Sequence, residues 1–299
     1  MSAGVWWLAS YPRSGNTWLR ALLWTLVSGK PADINRLSSL GGFAGSRSQF
    51  DNALGIESVA LSRDQEANLR PRVFEVLAAE VERPPYCMTH DAYHLTPAGE
   101  PLFPASATRG AVYVVRDPRA VAVSMAHYMA RPIEVAIAHM DNPDALSGGS
   151  TRRLSNHLRQ RLLRWSEHVE SWLSAPFPVH VVRYEDMLAD PCTTFTAVAA
   201  FLELRCDRDT ITAAIDATTF KRLQAQEREL GFVERPPRAA TFFREGRSDG
   251  WRRELSPQQA ARIVAAHGEI MRRLGYDVTL KAQTVRHGAA QERSCPPTG

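Results

Sequence analysis

Residues 5–28 read VWWLASYPRSGNTWLRALLWTLVS, and this stretch limits the fold more tightly than any other. An apolar run stops at Ser10, a polar turn containing Pro12 and Gly15 follows, and apolar residues return at helical spacing until Gly29 and Pro31. The pattern predicts a buried strand over 5–10 and a helix from Gly15 to about Ser28. A strand that feeds a helix through a short turn aims the helix's unpaired N–H groups at whatever sits beyond the strand, a geometry suited to an anion. The phosphate loop of nucleotide hydrolases has the form G-x-x-x-x-G-K-[ST]. Here the aligned frame is Ser10-x-x-x-x-Gly15-Asn16-Thr17, lacking the first glycine and the lysine. Arg13 inside the turn can supply the missing charge, and Thr17 keeps a hydroxyl in the first helical turn. Taken alone, Ser14-Gly15-Asn16-Thr17 reads equally well as an ordinary capped connection.

The rest of the chain alternates strand and helix patterns. PPYCMTH predicts a short strand ending near His90, AVYVVR (111–116) a β-branched strand, and PVHVVRY (178–184) another. Asp117 and Pro118 stand as cap and first residue of a helix, and IEVAIAHM makes a short one. Helices are expected over 64–82 (with Pro71 breaking or restarting it), 152–173, 191–204 and 208–217, and from Ser256 and Pro257 to Gly275. Residues 36–60 and 225–250 read as loop or irregular chain, and DNPDALSGGST (141–151) has the composition of a mobile loop. The expected fold class is α/β: a central, mainly parallel sheet flanked by helices, in a P-loop-like arrangement. A single domain over 1–280 and a disordered polar tail over 281–299 complete it. Ligands in such sheets bind at the carboxyl ends of the strands, so SYPRSGNTW, THDAYH and RDPR should gather around one cleft.

Charge and cysteine usage narrow the function classes. A net charge of +4, with no basic stripe interleaved with aromatics, does not point to nucleic acid. No apolar run reaches membrane-spanning length. Cys87, Cys192, Cys206 and Cys295 form neither a CxxC pair nor a zinc spacing, which reads as a reduced, cytoplasmic protein. Of 36 basic residues only Lys30, Lys221 and Lys281 are lysine. That bias suits a GC-rich genome, and it also fills the chain with side chains that grip phosphate through two bonds.

VYVVRDPRAVAVSMAHY (112–128) places Arg116 at a strand end and Ser124 eight residues later, where a guanidinium and a hydroxyl can converge on one phosphate. Arg116 could equally be an ion-pair partner of Asp117. With these residues in view, the chain resembles the cytosolic-type sulfotransferases that use 3'-phosphoadenosine 5'-phosphosulfate. Tyr11-Pro12-Arg13-Ser14-Gly15-Asn16-Thr17-Trp18 stands for the family's YPKSGTTW loop, and Arg116 and Ser124 match its second motif. Met88-Thr89-His90 stands for its KTH segment, and Tyr184-Glu185-Asp186-Met187 for YEDM. Thr218-Thr219-Phe220 resembles its adenine clamp, and Phe242 to Arg252 its FxRKGxxGDWK signature. The likeness runs from about residue 5 to 275. Arg13, Met88 and Glu245 stand where the family has lysines, Arg247 is a candidate replacement for the last, and Gly and Asp are exchanged before Trp251.

The resemblance implies a donor site built from Arg13, Ser14, Gly15, Asn16, Thr17 and Trp18. Arg116, Ser124, Arg244 and Gly246 are its 3'-phosphate ligands, and Thr218, Phe243 and Glu245 belong to the same donor-binding set. Trp18 and Phe220 would sandwich adenine; Tyr184 would touch its edge or pack in the core. His90 is the expected general base, with His94 a weaker substitute and Asp91 either orienting a ring or touching the acceptor; Arg13 is the catalytic cation. The resemblance further implies in-line sulfuryl transfer to a hydroxyl of a small molecule, 3',5'-bisphosphoadenosine as product, and no metal. The expected acceptor is a phenol, an alcohol or a glycosylated secondary metabolite, and the expected assembly a monomer or homodimer. Two alternatives stand beside this reading: a non-catalytic nucleotide-binding scaffold of the same fold, and a P-loop kinase using magnesium and ATP.

Overall fold

The computed structural model describes residues 4–79, 85–148 and 155–279. In chain order its elements are β1 (Val5–Ser10), α1 (Asn16–Ser28), α2 (Arg47–Leu54), α3 (Arg63–Ala79), β2 (Tyr86–Thr89), β3 (Thr108–Val115), α4 (Pro118–Met129) and α5 (Ile133–Met140). There follow β4 (Leu146–Ser147), β5 (Gln160–Arg161), α6 (Trp165–Leu173), β6 (Val179–Arg183), α7 (Tyr184–Ala189), α8 (Pro191–Phe201), α9 (Arg208–Ala217), α10 (Phe220–Leu230), α11 (Trp251–Glu254) and α12 (Pro257–Arg273). The expected tail over 281–299 lies outside the described residues.

β2, β1, β3 and β6 form one parallel sheet in that order, so the chain winds outward from β1 in both directions. This places the switch point, where such sheets bind ligands, at the carboxyl end of β1. β1 is buried along its whole length because both of its faces are covered. Val5, Trp7 and Ala9 enter a core shared with α3, α4, α6 and α12, and the intervening Trp6 and Leu8 enter a second core against α1, α8 and α9. That alternation is the two-residue period of a strand written into a sequence that is apolar throughout.

Four expectations need correction. Residues 36–60 are not a plain loop: a 3-10 segment spans Ile34–Leu40, and α2 follows with Ser46 as its cap. α2 buries Phe50 and little else, so it carries no apolar period to read. Pro71 lies inside α3 without ending it, because Arg70, Val73, Phe74 and Ala78 anchor both sides of the proline in the core. Of the long helix expected over 152–173, the described residues form α6 alone, preceded from residue 155 by extended chain. There Leu158, Gln160 and Leu162 are each buried while Arg161 between them is exposed, a strand period rather than a helical one. Residues 225–230 belong to α10, whose buried members are Leu223 and Glu227.

Candidate functional site

The register of the sheet sets the site. Ala9 pairs with Thr89, Ser10 with Val114 and Val115 with Arg183, so the strands stop almost level. The next residues, Tyr11, His90, Arg116 and Tyr184, therefore emerge side by side. A cleft of about 1450 Å³ opens there, and Arg13, His90, Arg116 and Tyr184 all lie on its wall.

The turn between β1 and α1 is held by its own side chains. Asn16, where a hydrolase has its lysine, points back: Nδ2 donates to the Leu8 carbonyl at 2.8 Å and to Ser10 Oγ at 3.3 Å. Arg116 Nη1 donates to the Arg13 carbonyl at 3.2 Å and fixes that residue in the left-handed region, φ 71°. Gly15 has φ 110°, and a Cβ there would lie 2.6 Å from the Tyr184 ring. Gly15→Ala is therefore expected to cost at least about 1–2 kcal/mol from the backbone alone. Urea unfolding should show an earlier midpoint, and an unchanged midpoint would mean that the turn is free to relax.

The start of α1 is open to an anion. It has no side-chain cap and no acidic residue in its first turn, and its first N–H groups have no carbonyl one turn back. Around it, Ser14 Oγ, Asn16 Oδ1 and Arg116 Nε are buried without a hydrogen-bond partner among the described residues. Buried polar groups are normally paired, so these orphans mark where a polar ligand fits. Thr17 lies on the same wall. Arg13 Nε donates to Ser124 Oγ at 3.1 Å and Nη2 to the Phe242 carbonyl at 3.2 Å. Its guanidinium sits 4.8 Å from the Tyr128 ring centre and 4.2 Å from that of Phe242. Burial lowers its pKa to about 10, which leaves it charged at neutral pH.

Of the other residues expected to bind the donor, Trp18, Ser124, Tyr184, Phe220, Phe243, Arg244, Glu245 and Gly246 line the cleft. Gly246, φ 64°, passes so close to Phe220 that a Cβ would meet the ring at 2.5 Å. Thr218 is not on that wall: it is fully buried and its hydroxyl donates to the Ala214 carbonyl at 2.7 Å. Glu245 pairs with Arg244 and Arg253, and Arg244 also reaches Glu254 at 2.8 Å. The Arg247 side chain turns to Asp249 while its carbonyl accepts from Arg116 Nη2 at 2.8 Å. Asp117 does not pair with Arg116; it caps α4 and grips Arg119 through both carboxylate oxygens. Glu185 links Asp117 N to the Tyr276 hydroxyl, so the glutamate of YEDM ties α7, the cap of α4 and the C-terminal segment together.

His90 is half-buried on the cleft wall. Its Nδ1 lies 2.8 Å from the Ser10 carbonyl, which can only accept, so Nδ1 carries the proton and Nε2 holds the free lone pair. Burial pushes the ring's pKa down to about 4, opposed in part by the Ser10 bond, so the ring is neutral at physiological pH. Gln160 Oε1 accepts from His90 N at 2.8 Å and His168 Nε2 donates to its carbonyl at 3.1 Å, fixing the backbone. His94, the substitute base, and Asp91, the expected orienting residue, are placed elsewhere. His94 bonds the Ala92 carbonyl away from the cleft lining, and Asp91 is buried in a salt bridge to Arg70 at 2.5 Å, so Asp91 touches neither ring.

Arg20 and Glu234 escaped the sequence reading. Arg20, one helical turn after Thr17, is 4% exposed and holds Glu234 through two bonds of 2.7 and 2.6 Å on the wall that carries His90. The i, i+3 spacing from Thr17 is a signal that could have flagged Arg20; nothing local could have flagged a partner 214 positions away.

The sequence profile of the sulfotransferase domain family matches residues 5–275. Sulfotransferase 1A1 of the dog, Canis lupus familiaris, is 25% identical over 170 residues, 55% of this chain and 55% of that protein. The aligned stretch thus spans about half of the dog protein. Cytosolic sulfotransferase 16 of Arabidopsis thaliana is 24% identical over 278 residues, 86% of this chain and 72% of that one. Among solved structures, retinol dehydratase in complex with androsterone and the inactive cofactor PAP superposes with a TM-score of 0.61 at 18% identity, covering 91% of this chain and 81% of its own. At that identity the likeness concerns the fold.

Proposed function

The chain belongs to the sulfotransferase domain family, and from that premise we propose that it transfers a sulfuryl group from 3'-phosphoadenosine 5'-phosphosulfate to a hydroxyl of a small-molecule acceptor. One observation carries the proposal: the level strand ends bring Arg13, His90 and Arg116 to one cleft beside an uncapped helix start ringed by unpaired buried polar atoms. The PAP in the retinol dehydratase complex supports the same choice of nucleotide.

When bound, the donor supplies a sulfuryl group activated by its 5'-phosphate. Ser14 Oγ, the first-turn N–H groups of α1 and Thr17 would hold that phosphate, and Arg13 would offset the charge that grows on its bridging oxygen. Arg116, Ser124, Arg244 and Gly246 would hold the 3'-phosphate, Arg244 leaving Glu245 and Glu254 to do so; Trp18 and Phe220 would flank adenine. His90 Nε2 takes the acceptor's proton as the acceptor oxygen bonds to sulfur and the S–O bond to the phosphate breaks, the electron pair leaving on that phosphate. Asp117, the acidic residue after β3, is committed to Arg119, which weakens the kinase alternative.

The finer reading is that residues 1–280 act as one domain of a bacterial, cytoplasmic enzyme, monomeric or homodimeric, that tailors a secondary metabolite. Free Cys87, Cys192 and Cys206 and the arginine-biased composition support it. The acceptor end of the cleft mixes Phe43 with Ser46, Gln49, Asn156, His157 and Gln160, a wall suited to a hydroxylated ring. The test is sulfur-labelled donor offered to phenols, alcohols and glycosides. Label should move to one class with release of 3',5'-bisphosphoadenosine. Tight binding of that nucleotide with no transfer across the panel would favour the scaffold alternative.

A further inference from the structure

Arg20 is a buried cation in the cleft that the reaction outlined above does not use. α1 carries it one turn beyond Thr17, and Nη2 lies 3.3 Å from the Thr17 hydroxyl. Its Nε is buried with no hydrogen-bond partner among the described residues. The other end of the guanidinium is filled by the two oxygens of Glu234, whose side chain is 35% exposed against 5% for Arg20. The pair is therefore lopsided: a fixed cation on a helix, and an anion reached from solvent on the irregular segment after α10.

The segment carrying Glu234 is held at other points. Val233 N donates to Asn35 Oδ1 at 2.9 Å, Phe232 is buried, and Glu227 accepts from the N–H groups of Phe242 and Phe243. Loss of the Glu234 contact leaves these anchors in place. The groups whose fields reach Glu234 or His90 come from several elements: Arg20 on α1, His157 before β5, Tyr128 on α4 and Asp91 after β2. Arg20 depresses the pKa of His90 while Glu234 raises it, which places both charges in the neighbourhood of the proposed base.

We propose that Arg20 is the guanidinium that grips two oxygens of the donor's sulfuryl group, and that Glu234 occupies the same fork as an exchangeable counter-ion that the donor displaces. The inference rests on the functional reading given above. Its physical basis is the match between two acceptor oxygens of one anionic group and the two parallel N–H groups of arginine. The Thr17 hydroxyl, 3.3 Å from Nη2, and the cleft wall shared with His90 put that fork within the site that holds the nucleotide's phosphate and the proton acceptor. Glu234 keeps a buried guanidinium paired while the donor is absent, which avoids the cost of an uncompensated buried charge.

The test compares two nucleotides that differ by the sulfuryl group. Calorimetry on the full chain gives the affinity for 3'-phosphoadenosine 5'-phosphosulfate and for 3',5'-bisphosphoadenosine, in wild type, Arg20→Met, Glu234→Gln and the double variant. Removing charge-assisted bonds made to the sulfuryl group should weaken the phosphosulfate in Arg20→Met by roughly 10- to 100-fold, with the bisphosphate changed far less. Glu234→Gln, which keeps the shape and frees the cation, should tighten the phosphosulfate several-fold. Should Arg20→Met fail to fold, Glu234→Gln and the double variant carry the comparison. Equal losses for both nucleotides, or weaker phosphosulfate binding in Glu234→Gln, would overturn the proposal and leave a structural pair. A wild-type chain that binds neither nucleotide would overturn the functional reading as well; one that binds both, with the variants unaltered, overturns this inference alone.

Discussion

His90→Asn is expected to lower the rate of sulfuryl transfer by about 10²- to 10⁴-fold, the usual contribution of a positioned general base. Affinity for 3',5'-bisphosphoadenosine should stay near wild type. Asparagine can still donate to the Ser10 carbonyl, and the His168 bond to the backbone carbonyl at 90 is untouched. The substitution therefore removes the free Nε2 lone pair with little disturbance of the wall. The pH profile gives an independent reading. Transfer needs the neutral ring, so activity is present above the ring's pKa and is lost as pH falls through it. An ordinary histidine would put that loss near pH 6.5; burial puts it near 4 in the free protein. The acid limb of kcat/KM should thus lie well below 6.5, followed alongside circular dichroism to separate it from unfolding. A limb near 6.5, or a His90→Asn variant that transfers at the wild-type rate, would contradict the role.

The second large effect concerns Arg13. Arg13→Ala is expected to lower kcat by about 10²- to 10³-fold, the cost of losing one aligned donor to developing charge. The nucleotide should bind more weakly as well, because Ser124 and the Phe242 carbonyl lose their shared partner. Arg13→Lys keeps the charge but not the fork, nor the stacking on Tyr128 and Phe242, and should fall between the two. Single-turnover rates with saturating donor would measure both variants; equal rates for alanine and arginine would remove Arg13 from the reaction.

Much of the architecture could be read from local pattern because it is written locally. β1, the turn and α1 form one continuous signal of apolar run, turn residues and returning helical period. α12 announces itself through Ser256 and Pro257, and the structure adds a capping box between Ser256 and Gln259. The α/β arrangement with a parallel sheet follows from such units. Elements whose stability comes from partners were harder to read. α2 buries a single aromatic, and the extended stretch from Leu158 to Leu162 has a short two-residue period easily taken for part of a helix.

The site shows the same division. Residues one step past a strand end (His90, Arg116, Tyr184) could be placed from the sequence, since the strand fixes where they emerge. Roles set by which partner a side chain takes in the folded chain could not. Asp91 is absorbed by Arg70, Asp117 by Arg119, and Thr218 by its own helix, while Arg20 meets Glu234 across 214 positions. Glu245, standing among arginines, shows how a motif can keep its place in the chain while its charges are redistributed between Arg244, Arg253 and Glu254.

The central claim is that the turn over residues 11–17 and the strand ends beside it form a cradle for an adenosine carrying phosphates at both the 3' and 5' positions. Isothermal titration of the folded chain with 3',5'-bisphosphoadenosine, in parallel with magnesium ATP, tests it most directly. Saturable one-to-one binding of the bisphosphate, clearly tighter than that of magnesium ATP and weakened by Arg116→Ala, is the predicted result. Strong binding of magnesium ATP with no heat from the bisphosphate would contradict it.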